Sequence, residues 1–175
     1  MNIVNVHIAG WDVSGGIDEY NRHAITKLSN IHFPATKIAK NRIIKMGENP
    51  KFVFDHGSLN IDEVLSNRIT DKNELNKKYN LSLTGNEILL LQHSVTTETK
   101  YAKKQIHNTM KAIMTFNSNI IAIAPNSDAG GRKIFEYIEN FAKKYHNVKL
   151  FNTFPRSDYL GLLKNARILV GNSSS

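Results

Sequence analysis

The feature that most constrains this chain is an alternation in its second half. Continuous apolar runs recur there, each followed by a polar loop and then a segment of helical periodicity. Residues 87–92 read Glu-Ile-Leu-Leu-Leu-Gln and residues 120–124 read Ile-Ile-Ala-Ile-Ala. Runs without polar alternation mark strands buried on both faces, which parallel sheets require. Between and after them lie stripes such as Ile106, Met110, Ile113 and Phe116, then Ile134, Ile138 and Phe141, each on one helical face. Residues 148–151 and 167–170 predict two further strands, with a short helix over 159–163 between them. Strand and helix alternating at this spacing predict an α/β fold, a parallel sheet with right-handed crossovers.

In such a sheet every strand ends on the same edge, so loops distant in sequence converge there. The loops in question are 93–97, 126–131, 153–156 and 171–175. Taken singly, His93 is an ordinary satisfied polar residue and Ser173 to Ser175 an ordinary turn. Together they offer an imidazole at His93, hydroxyls at Ser173 and Ser174, and a guanidinium at Arg132 beside a helix start. That set suits a nucleotide diphosphate.

The first half opens with an apolar run over 3–8 that predicts a strand. A loop carrying Gly10, Ser14, Gly15 and Gly16 follows, and then a helix with Ile17, Ala24, Ile25 and Leu28 on its apolar side. Asp18 and Glu19 fall in its first turn, where the helix dipole favours carboxylates. A strand is expected over 31–35, a helix capped by Thr36 and stopped by Gly47, a strand over 52–54 and a short helix over 61–65. Residues 67–85 are polar and read as a linker with a surface helix between two domains.

Composition narrows the function classes. Cysteine is absent, which removes disulfides, thiolate catalysis and Cys-ligated metals and suits a reducing, cytoplasmic setting. No run is long enough to span a bilayer. The histidines lack ligand spacing, so no metal site is expected. The formal charge of +8 comes from dispersed lysines, which favours a phosphorylated small molecule over nucleic acid.

Six segments carry a resemblance. They are HI-x-G-x-DVSG-x-IDE over 7–19, RHAITKLS-x-IHFPAT over 22–36 and RIIKMGE over 42–48, then QH-x-VTT over 92–97, PN-x-DAG over 125–130 and GNSS over 171–174. In order and spacing they resemble the UDP-N-acetylglucosamine 2-epimerase family, most closely its hydrolysing, N-acetylmannosamine-releasing branch of sialic-acid synthesis. The resemblance implies two facing Rossmann-like halves of GT-B type, the first truncated at its N-terminus and the second at its C-terminus. Residues 1–66 would end the N-terminal half and 86–175 form most of the UDP-binding half. The chain is thus expected to be an internal piece of a longer protein and inactive alone.

The resemblance also implies roles. Asp18 matches a catalytic acid and His93 the histidine at the diphosphate. Ser173 and Ser174 match phosphate-binding serines, and Asn126 and Arg132 nucleotide contacts. Thr153 and Phe154 stand where the base is held, while Arg22 and His23 are supporting positions. The ligand would be UDP-N-acetylglucosamine or UDP with no further cofactor, in a protein that often pairs with itself. Two departures stand out: Ala9 replaces a glutamate that many members use catalytically, and Trp11 replaces a glycine. Alternatives are a non-hydrolysing epimerase, a UDP-sugar-binding module without catalysis, and, on fold analogy alone, a glycosyltransferase.

Overall fold

The computed structural model describes residues 4–5, 17–65 and 69–173, with side chains from Glu19 onward. It divides into two compact units, Met1–Arg68 and Ile69–Ser175.

The second unit holds a four-stranded parallel sheet. Its strands are β3 (Ile88–Leu91), β4 (Ile120–Ile123), β5 (Val148–Phe151) and β6 (Ile168–Gly171), in the spatial order β5-β4-β3-β6. Crossovers are made by helices α5 (Ala102–Ile113), α6 (Gly131–Lys144) and α7 (Arg156–Asn165). Successive side chains of a strand point to opposite faces, and β3 shows why all of its residues are apolar. Ile88 and Leu90 face a core with Ile106 and Met110 of α5 and Ile134 and Ile138 of α6. Leu89 and Leu91 face a second core with Leu162 and Tyr159 of α7 and Leu75 of helix α4 (Lys72–Tyr79). Burial on both faces is the doubly wound arrangement that the apolar runs imply.

Of residues 67–85, expected as a linker with a surface helix, 69–85 belong to this unit, and the helix is α4. Asp71 caps α4 by accepting from the Asn73 and Glu74 N–H groups (2.8 and 3.1 Å), and Leu75 is fully buried. The polar look of the segment reflects one solvated helix face, while Leu75, Leu81 and Leu83 enter the core. Helix α7 is longer than expected, and Phe116 lies beyond the end of α5, 59% exposed instead of on its buried stripe.

The first unit contains a two-stranded parallel sheet, β1 (Val4–Asn5) with β2 (Ile31–His32), flanked in sequence by helix α1 (Ile17–Leu28). Helix α2 (Lys37–Lys45) starts as expected, with Thr36 accepting from the Ala39 N–H at 3.1 Å. Ala39 and Ile43 of α2 are buried, and Ile43 packs with Val53. The expected strand over 52–54 is instead a 3₁₀ turn, Pro50–Phe52, after which Val53 alone bridges to His32. Asn49 drives the turn by accepting from the Lys51 N–H at 3.0 Å. Helix α3 spans Leu59–Leu65.

Helix α1 buries a different face from the one expected. Ala24, Ile25 and Leu28 are exposed, whereas Thr26 and Ser29 are buried. Their hydroxyls return to the helix backbone, Thr26 to the Arg22 carbonyl (2.9 Å) and Ser29 to the Ile25 carbonyl (2.7 Å), so burial leaves neither unsatisfied. No helix among the described residues is long and apolar enough to cross a membrane.

Candidate functional site

The parallel sheet of the second unit delivers four loops to the edge where its strands end. His93 follows β3, Asn126 follows β4, Thr153 and Phe154 follow β5, and Ser173 follows β6. The strand order reverses on either side of β3, so β3 and β6 flank the switch point at which open α/β sheets bind ligands.

A cavity of about 400 Å³ opens at this edge, and His93, Asn126, Thr153 and Phe154 all line it. Leu91, Ile123 and Pro125 make its apolar wall, which suits the face of a planar base. Phe154 is held in place by edge contacts to Tyr79 and by Phe151, with ring centroids 4.8 and 4.9 Å away. The sequence does not single out three further lining residues, Asn152, Arg156 and Tyr159. Arg156 lies with its guanidinium 5.8 Å from the Tyr159 ring centroid. Burial pushes the Tyr159 phenol up from its ordinary value, against the opposing pull of Arg156. The signal that points to these residues is topological: α7 begins directly behind the β5 loop, so its first turn must face the same edge.

His93 has a defined ring state. Its Nδ1 lies 3.1 Å from the Asn126 backbone N–H. A backbone N–H only donates, so Nδ1 accepts and the neutral ring carries its proton on Nε2. The imidazole therefore presents an N–H donor of the kind that an anionic oxygen accepts. The Asn126 side chain donates to Asp128 at 2.6 Å, which folds the loop back on itself. Gly130, at φ +91°, closes that loop against the one after β3, because a Cβ there would collide with the Ser94 hydroxyl. The N-terminus of α6 is thereby drawn toward the strand ends.

Arg132 stands apart from this cavity. It projects from the first turn of α6, and its Nε donates to Glu136 at 2.8 Å. It lines a neighbouring depression of about 510 Å³ with the 125–131 loop and Phe135. Ser173 is half-buried beside the end of β6, while Ser174 lies outside the described residues.

In the first unit, Asp18 sits in the opening turn of α1, with its side chain outside the described residues, as are Ala9 and Trp11. One turn on, His23 Nε2 lies 3.6 Å from Glu19, and Arg22 is half-buried on the same helix. No cluster of His, Asp or Glu that could hold a metal ion occurs among the described residues.

The chain is similar to several known proteins. A UDP-N,N'-diacetylbacillosamine 2-epimerase (hydrolyzing) of Legionella pneumophila is 35% identical over 175 residues, covering all of this chain and 46% of that protein. A UDP-N-acetylglucosamine 2-epimerase of Neisseria meningitidis is 37% identical over 172 residues, covering 97% of this chain and 44% of that protein. The chain thus spans about half the length of the curated relatives it matches. The crystal structure of UDP-GlcNAc 2-epimerase from Neisseria meningitidis bound to UDP-GlcNAc superposes with a TM-score of 0.81 at 16% identity, over 99% of this chain and 48% of that one. That likeness shows the fold, of GT-B type. The family model described as UDP-N-acetylglucosamine 2-epimerase matches residues 1–175, and the chain belongs to that family.

Proposed function

We propose that this chain supplies the UDP-holding part, and one catalytic helix, of a hydrolysing UDP-N-acetylglucosamine 2-epimerase. The observation that carries the reading is the convergence of His93, Asn126, Thr153 and Phe154 on one cavity at the strand-end edge, in a member of this family. In this reading the base lies against Leu91, Ile123 and Phe154, and the diphosphate takes the Nε2–H of His93 together with Ser173 and Ser174. Arg132 approaches the phosphates from the neighbouring depression.

The reaction breaks the bond between C1 of the sugar and the β-phosphate oxygen, whose electrons leave on UDP. A carboxylate takes the proton from C2, so that a C1–C2 double bond forms. Water then adds across that bond, OH to C1 and a proton to C2 from the opposite face, and N-acetylmannosamine is released. The leaving diphosphate needs donors aimed at its developing charge, which is the work assigned to His93 and the serines. Proton transfer needs a carboxylate, and Asp18 is the one we assign. The hydrolysing outcome is supported by the printed activity of the Legionella relative, whose name also makes UDP-N,N'-diacetylbacillosamine the second sugar to test. We further propose that residues 1–66 close an N-terminal Rossmann-like half whose other strands a full-length relative carries.

The test is a calorimetric titration of the chain with UDP, beside His93→Ala. Loss of one charge-assisted hydrogen bond weakens binding by roughly tenfold to a hundredfold. Wild-type protein that takes up no UDP, or a His93→Ala variant of unchanged affinity, overturns the assignment. For catalysis, UDP-N-acetylglucosamine incubated in D₂O with a chain completed to the length of its relatives should give deuterium at C2 and free UDP.

A further inference from the structure

We propose that Asn172 is the positioning residue that fixes His93 for its ligand; the role of the ligand as a diphosphate rests on the function proposed above. The geometry begins at the switch point between β3 and β6. Their pairing brings Leu91 opposite Gly171. A Cβ at Gly171 would collide with the Leu91 carbonyl oxygen, so only glycine allows the two strand ends to approach this closely. The next residue, Asn172, then meets His93, the second residue beyond the end of β3.

The side-chain amide of Asn172 uses both of its groups there. Its Oδ1 accepts from the His93 N–H at 2.7 Å, and its Nδ2 donates to the His93 carbonyl at 3.1 Å. The amide copies a peptide unit and adds one rung to the ladder after the strands themselves have parted. On the opposite side, the Asn126 N–H holds His93 Nδ1 at 3.1 Å. Backbone and ring of His93 are therefore fixed from two neighbouring strands at once, and Nε2–H is the ring donor that remains for a bound oxygen.

The chemistry requires asparagine. Aspartate offers two acceptors and cannot donate to the carbonyl, serine cannot reach both groups, and glutamine is longer by a methylene. Preorganisation is the consequence, since the ring need not be ordered when an anion arrives.

The experiment is carried out on the 175-residue chain labelled with ¹⁵N at histidine. Two-bond ¹H–¹⁵N spectra assign the His93 ring as the signal missing from His93→Gln. The wild type should show one tautomer, protonated at Nε2. In Asn172→Ala the ring should lose that single tautomer, and UDP should bind about tenfold more weakly, as expected for two lost hydrogen bonds. Asn172→Asp keeps one of the two bonds and should fall between; it carries the same test should the alanine variant not fold. Unchanged His93 ring signals in both variants would overturn the proposal. The ring spectrum is read without ligand, so a wild type that binds no UDP refutes the function proposed above while leaving this inference decided by the spectrum.

Discussion

Asp158→Asn is the substitution whose cost can be worked most directly from the structure. Asp158 opens α7 and is 2% exposed. It accepts from the Thr70 hydroxyl at 2.5 Å, from Lys78 Nζ at 2.7 Å and from the Tyr79 hydroxyl. Burial alone would raise its pKa, but these three donors overcome it and hold the carboxyl at about 2, against an ordinary 3.8. That difference corresponds to roughly 2.5 kcal/mol favouring the ionised carboxylate in the folded unit. The sign follows from a folded-state value below the unfolded one. The stability is fully present above about pH 5 and is lost as pH falls through 3.8 toward 2. The amide variant has no charge to titrate, so it should be about 2.5 kcal/mol less stable at pH 7, with the gap closing near pH 2. With a slope of about 1 to 1.5 kcal/mol per molar urea for a unit of this size, the urea midpoint at neutral pH falls by about 2 M. Amide exchange of β3 and β4 peptides at graded urea reads the second unit by itself. Equal midpoints at pH 7, or a gap that stays constant from pH 7 to pH 2.5, would refute the reasoning.

Leu75→Ala should destabilise the second unit by about 2 to 5 kcal/mol, the range for large fully buried side chains, measured by the same exchange experiment; a shift within about 0.5 kcal/mol would mean that 69–85 is only a linker. Gly171→Ala should force β6 away from β3 and lower UDP affinity together with stability, and wild-type affinity on titration would contradict the close approach. Gly130→Ala combines a left-handed backbone with a clash at Ser94, so it should cost about 1 to 2 kcal/mol in thermal or urea unfolding and loosen the loop bearing Asn126.

What could be read from the residues, and what could not, follows from how far each element depends on its neighbours. Strands β3 and β4 are legible because both of their faces are covered, so every position must be apolar whatever the register. Once those strands are placed, the convergence of their loops is a consequence of parallel topology, and His93, Asn126, Thr153 and Phe154 meet at one cavity for that reason. Helix α1 is the opposite case. Thr26 and Ser29 are buried because short hydroxyls can bond to their own helix, a satisfaction that leaves no apolar signature. The 49–53 stretch is another, since the Asn49 side chain makes a turn where three apolar residues suggest a strand. In 69–85 the decisive contacts run from Thr70, Lys78 and Tyr79 to Asp158, some eighty residues away, and no local window contains both partners. Asn172 belongs with these. Its hydrogen bonds to His93 exist only because Gly171 lets β6 press against the end of β3, so its use becomes visible when the sheet is assembled. Local pattern thus locates the edge where the loops converge, whereas the groups that contact the residues gathered there are set by the approach of distant backbones.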